Sequence, residues 1–102
     1  SKRITRIGRA KGDAADICID ENTISGVHAQ IEYKDHDFYL IDMQSRNGTY
    51  LDEERQRITS EVCLKGDSVI YFDQYKFKFV IHKENEDKEV QLSASPSGTI
   101  GG

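Results

Sequence analysis

Two arginines, two serines and an asparagine stand in three short stretches of the chain: Ile7-Gly8-Arg9, Ser25-Gly26-Val27-His28 and Ser45-Arg46-Asn47-Gly48-Thr49. Arg9 and Arg46 carry planar, permanently charged forks of N–H donors. Ser25 and Ser45 offer hydroxyls, and Asn47 an amide that both donates and accepts. Gly8, Gly26 and Gly48 let a ligand or a second loop approach the backbone closely. The pooled groups suit gripping an oxyanion rather than breaking a bond, because no acid–base pair of catalytic type accompanies them. A phosphate monoester, with a charge of about −1.5 to −2 and three strong acceptors, is the natural match.

Each residue also has a plainer reading. Asn47-Gly48 is the strongest short-range signal for a tight hairpin turn. Arg9 and Arg46 could be solvated surface arginines, and Ser25 a strand-entry serine bonded to nearby backbone. Ser25 and His28 could be drawn as nucleophile and base, but no orienting acid or oxyanion-hole motif is readable beside them. His28 fits better as a buried structural histidine. His28, His36 and His82 lack metal-ligand spacing, so neither a metal nor a cofactor is expected. Cys18 and Cys63 are isolated, with no Cys-x-x-Cys. They are expected to be free, mostly buried thiols of an intracellular, reducing compartment.

These stretches need a scaffold, and the pattern around them has period two. Val27, Ala29, Ile31 and Tyr33 alternate with His28, Gln30 and Glu32. Phe38 and Leu40 alternate with Tyr39 and Ile41, and Tyr75, Phe77, Phe79 and Ile81 with Lys76, Lys78 and Val80. Alternation of this kind turns one face of a strand inward and the other outward. Residues 17–19 and 68–72 read as further short strands. Turn-forming clusters separate the runs: Lys11-Gly12-Asp13, Lys34 to Asp37, Asp52-Glu53-Glu54, Lys65-Gly66-Asp67 and Asp73-Gln74. The fold expected is an all-β, two-sheet sandwich of about ten to eleven short, mostly antiparallel strands. Loops that converge at one end of such a sandwich would bring the three stretches together.

The chain has 102 residues and a net charge of −4. One domain with one core fits that length. The charge argues against a nucleic-acid binder with a global positive field. No stretch approaches the roughly 20 apolar residues that span a bilayer, and no signal segment opens the chain, so a soluble cytoplasmic protein is expected. Composition shifts after His82. A charged connector begins there, segment 89–93 alternates weakly as one more strand, and a Gly/Ser-rich tail follows. The sandwich is thus expected over 1–82 and the connector and tail over 83–102.

Gly-Arg, then Ser-x-x-His, then Asn-Gly, in that order and with alternating strands between, resembles the forkhead-associated (FHA) domain, a β-sandwich that binds phosphothreonine peptides. The likeness runs through RIGRAKGDAADICID, ISGVHAQIEY, FYLIDMQSRNGTYL and LKGDSVIYFDQYKFKFVI, nearly all of residues 3–82. It implies a phosphopeptide-binding role for Arg9, Ser25, Gly26, Arg46 and Asn47. Arg9 and Ser25 would hold the phosphate, Arg46 would lie beside the phosphothreonine, and Asn47 would bond the peptide main chain. Gly8, His28, Gly48 and Thr49 would be architectural, with His28 bracing the loops from beneath. Thr23 would face the peptide side chain three residues after the phosphothreonine and would not favour an acid there.

The sequence departs from the family at Gly26, where a polar or basic side chain is common, at Asp52 to Gln56, and at Asp73-Gln74, where glycine is usual. Seven residues precede Gly8, so the strand that the family places before the one leading into Gly-Arg is expected to be absent. Segment 89–93 could dock on the exposed sheet edge, in its own molecule or in a strand-swapped dimer. The partner implied is a phosphothreonine-containing protein, either a Ser/Thr kinase or its substrate. The alternative is a scaffold of the same fold that binds partners without phosphate.

Overall fold

The computed structural model describes residues 3–9, 15–84 and 87–94. The expected turn at Lys11-Gly12-Asp13 and the tail over 95–102 lie outside them. Ten strands form: β1 (Arg3–Gly8), β2 (Ile17–Cys18), β3 (Ala29–Lys34), β4 (Asp37–Asp42), β5 (Thr49–Leu51), β6 (Gln56–Arg57), β7 (Val62–Leu64), β8 (Val69–Phe72), β9 (Tyr75–Glu84) and β10 (Asp87–Ala94). They build two five-stranded sheets, ordered β2-β1-β3-β4-β7 and β10-β9-β8-β5-β6. This is the all-β sandwich that the alternation implies. Every pairing is antiparallel except β1 with β2, where Ile7 lies opposite Ile17.

The apolar sets of the two sheets face one another. Ile7, Ile31 and Leu40 of the first sheet and Ile70, Phe72 and Phe79 of the second are buried, with Ile24 of the loop after β2 packed among them. Phe38 meets Phe79 edge-on across the sheets, at 5.3 Å between ring centroids. Such contacts add modestly to the burial of each ring. β3 carries more than its alternation suggests, since Gln30 and Glu32 are buried as well and bonded to each other at 2.7 Å. β3 is the middle strand of its sheet, so Gln30 and Glu32 are flanked on both sides by residues of β1 and β4.

β9 runs two residues past His82, and β10 lies along it with Val90 opposite Ile81 and Leu92 opposite Phe79. Cys18 and Cys63 are free, but both are exposed rather than buried. They sit on β2 and β7, the two edges of one sheet, where a strand has a neighbour on one side only. Four strand spacings of about 4.8 Å separate those edges, far beyond disulfide reach. No helix among the described residues is long and apolar enough to cross a membrane.

Candidate functional site

One end of the sandwich collects the residue following β1, the loop from β2 to β3, the turn from β4 to β5 and the turn from β8 to β9. The β1–β3 ladder continues into the first of these, because the His28 N–H donates to the Ile7 carbonyl (2.8 Å) and the Arg9 N–H to the Ser25 carbonyl (3.0 Å). Backbone runs so close here that a Cβ on Gly8 would stand 2.1 Å from the Gly26 carbonyl oxygen. Only glycine fits that crossing.

His28 is completely buried, edge-on to Phe72. Its Nδ1 accepts the Ser25 N–H at 3.2 Å, which places the ring proton on Nε2, 2.8 Å from the Gly48 carbonyl. The ring therefore ties the β2–β3 loop and the β4–β5 turn together through backbone groups. Its nitrogens are committed there rather than to the Ser25 hydroxyl, so the pair has no nucleophile–base geometry.

The β4–β5 turn is built around the Asp42 carboxylate. It accepts the Ser45 N–H (3.1 Å), the Ser45 hydroxyl and the Thr49 hydroxyl (2.7 Å), while the Gly48 N–H donates to Ser45 Oγ at 3.0 Å. Partial burial pushes the Asp42 carboxyl up. The hydrogen bonds from Ser45 and Thr49 outweigh that and hold it below its ordinary value. Gly48 adopts φ +91°, and Thr49 is wholly buried. The pooled inventory needs one correction, because the Ser45 hydroxyl is buried inside this turn and is not available to a ligand. Sequence reasoning missed Asp42. An Asp three residues before a Ser is a recognised turn-capping pattern and could have flagged it.

Arg9, Ser25, Gly26 and Arg46 line one cavity of about 260 Å³, together with Thr23. Among the described residues, its lining holds two arginines and no carboxylate, a local positive site on an acidic protein. The Arg46 N–H donates to Ser25 Oγ at 3.0 Å. That bond uses an acceptor position of the hydroxyl and leaves its proton for an incoming oxyanion. Asn47 stands at the rim, with Nδ2 donating to the Thr23 carbonyl at 2.7 Å and its own carbonyl accepting the Tyr50 hydroxyl at 2.9 Å. Thr23 gives its hydroxyl to Asp73. The geometry thus brings Arg9, Ser25, Gly26 and Arg46 together around one opening, sets Asn47 beside it, and puts Gly8, His28, Gly48 and Thr49 beneath. The described residues contain no cluster of ligating side chains for a metal.

The family model for the FHA domain matches residues 5–73 of this sequence. The chain belongs to the FHA domain family. Among curated relatives it is 40% identical over 55 residues to an oxoglutarate dehydrogenase inhibitor of Corynebacterium diphtheriae, a match covering 54% of this chain and 37% of that protein. It is 36% identical over 66 residues to the glycogen accumulation regulator GarA of Mycobacterium tuberculosis, covering 65% of this chain and 38% of that one. The chain thus spans less than two fifths of the length of these relatives. Among solved structures, EmbR of Mycobacterium tuberculosis in complex with a low-affinity phosphopeptide superposes with a TM-score of 0.66 at 28% identity, covering 90% of this chain and 20% of that one. The FHA domain of the CT664 protein of Chlamydia trachomatis shares the fold, with a TM-score of 0.70 at 24% identity over 79% of each chain.

Proposed function

We propose that this chain is a phosphothreonine-dependent peptide-binding module acting in cytoplasmic Ser/Thr kinase signalling. Arg9 and the Ser25 hydroxyl grip the phosphate, Arg46 flanks it, and Asn47 bonds the peptide main chain. The observation that carries this reading is the convergence of three distant segments on one cavity whose described lining holds no carboxylate, with Arg46 N–H bonded to Ser25 Oγ. Gly26 adds backbone but no side chain, so the phosphate rests on few groups. The EmbR complex with a phosphopeptide and the relationship to a regulator such as GarA support a binding rather than a catalytic role.

Titration of the purified chain with a phosphothreonine peptide and its unphosphorylated twin tests the proposal. The phosphopeptide, selected from an oriented library, is expected to bind and the plain peptide not to. Equal binding of the two would mean a scaffold indifferent to phosphate.

A further inference from the structure

Asp73 occupies the turn between β8 and β9 with φ +61°. Glycine is at ease in that left-handed conformation, and aspartate is among the few other residues that tolerate it. Here the side chain has a use. Its Oδ2 accepts the Thr23 hydroxyl at 2.6 Å, from a residue fifty positions away. Its own N–H donates to the Gly48 carbonyl at 3.0 Å, the same oxygen that faces His28 Nε2. The Thr23 carbonyl in turn accepts Asn47 Nδ2 at 2.7 Å.

The bonds close a circuit. Asp73 holds Thr23, Thr23 holds the Asn47 amide, and the residue after Asn47 is held by the Asp73 backbone. One proton of the Asn47 amide is committed inward, which fixes the plane of the group and leaves its oxygen and second proton for a ligand. Thr23 of this circuit lines the cavity of Arg9, Ser25 and Arg46, and Asp73 lines a second cavity of about 250 Å³ with Tyr50, Arg55 and Gln74.

We propose that Asp73 is a positioning residue for phosphopeptide binding, a clasp that holds the Thr23–Ser25 loop and the Asn47 turn in register. The inference rests on the binding role proposed above, but the clasp itself exists without ligand. Asp73→Gly removes the carboxylate while keeping the backbone conformation unstrained, so the melting temperature should stay near that of the unmodified chain. Affinity for the best phosphothreonine peptide should fall about threefold to thirtyfold. Asp73→Asn retains an acceptor for the Thr23 hydroxyl and should restore it. Thr23→Val in the Asp73→Gly background should add little, because the two side chains act as one unit.

In the peptide-free protein, amide hydrogen exchange at Arg9 and Arg46, whose N–H groups bond Ser25, should quicken in Asp73→Gly and return to normal in Asp73→Asn. Affinity in Asp73→Gly within about twofold of the unmodified chain, below the coupling expected of a clasp, would overturn the proposal. So would Asp73→Asn binding as weakly as Asp73→Gly, since charge rather than the clasp would then matter. If no phosphothreonine peptide binds the unmodified chain, the proposed function fails, while the exchange rates still decide the clasp.

Discussion

β4 has a turn at each end, and the two are made differently. At its start the chain reverses through Asp35 and His36, at φ 51° and 68°, to pair β4 with β3 in one sheet. Both side chains are exposed. At its finish the chain crosses through Gln44 to Gly48 into the other sheet, and Ser45, Gly48 and Thr49 are buried around the Asp42 carboxylate. Both turns draw on the polar, turn-forming residues. The first leaves its side chains in water and only connects. The second satisfies its polar groups internally, so its remaining ones, Arg46 and Asn47, are held out at fixed positions. A turn can present a ligand site when its own hydrogen bonds are already made.

The contrast can be broken most directly through charge. Arg9→Ala, at the finishing end, should cost about 2–5 kcal/mol in phosphopeptide affinity, at least about thirtyfold by titration. Lys34→Ala, a cation at the other end paired with Glu61 on the surface, should leave affinity unchanged. Equal losses would show that the site reads overall charge and not geometry. A smaller effect should separate the turns by stability. Asp42→Ala orphans the Ser45 and Thr49 hydroxyls and should cost about 1–3 kcal/mol in chemical denaturation. Asp35→Asn, at an exposed position that accepts φ > 0, should stay within about 0.5 kcal/mol.

Acid sharpens the comparison further. The folded pKa of Asp42 is lowered, so its contribution is complete above the unfolded value of about 3.9 and is lost as pH falls through the still lower folded value. Peptide binding should weaken earlier, as the phosphate gains a proton near pH 6. Two separate steps are expected: loss of affinity around pH 6, and loosening of the β4–β5 turn only below about pH 4. The protection of the Gly48 amide, relative to its intrinsic exchange rate at each pH, would follow the second step, and Asp42→Asn should remove that step. The smallest change expected is from replacing Asp35-His36 with Asn-Gly, the preferred pair for that hairpin. It should shift stability by about 0.5 kcal/mol or less and leave binding untouched.

The same two turns show what the sequence alone could tell. Alternation over Val27 to Tyr33, Phe38 to Ile41 and Tyr75 to Ile81 was enough for the sandwich, because a half-buried strand writes its faces directly into the chain. Asn47-Gly48 carries the strongest hairpin signal, yet two-residue hairpins lie at Asp35-His36 and Asp73-Gln74. Local turn chemistry cannot say whether the next strand joins the same sheet. Strands as short as β6 and β7 offer too few residues for a period. The exposure of Cys18 and Cys63 follows from sheet order, which no local pattern encodes. Ser45 misled for a related reason, since a hydroxyl looks the same whether it faces a ligand or a neighbouring carboxylate. Arg9, Ser25 and Asn47 were legible jointly through order and spacing, whereas the circuit through Asp73 exists only once segments far apart in sequence have met.

The site draws on the ends of three segments that the fold has to bring together. A peptide bound to Arg9, Ser25 and Asn47 at once would be a removable staple across the whole sandwich. Unfolding would then require its release, and at a concentration one hundred times its dissociation constant the ligand would add about 2.7 kcal/mol to global stability. A thermal melt, with no label and no immobilised partner, would then serve as a binding assay, and treating the peptide with a phosphatase before the melt would erase the shift.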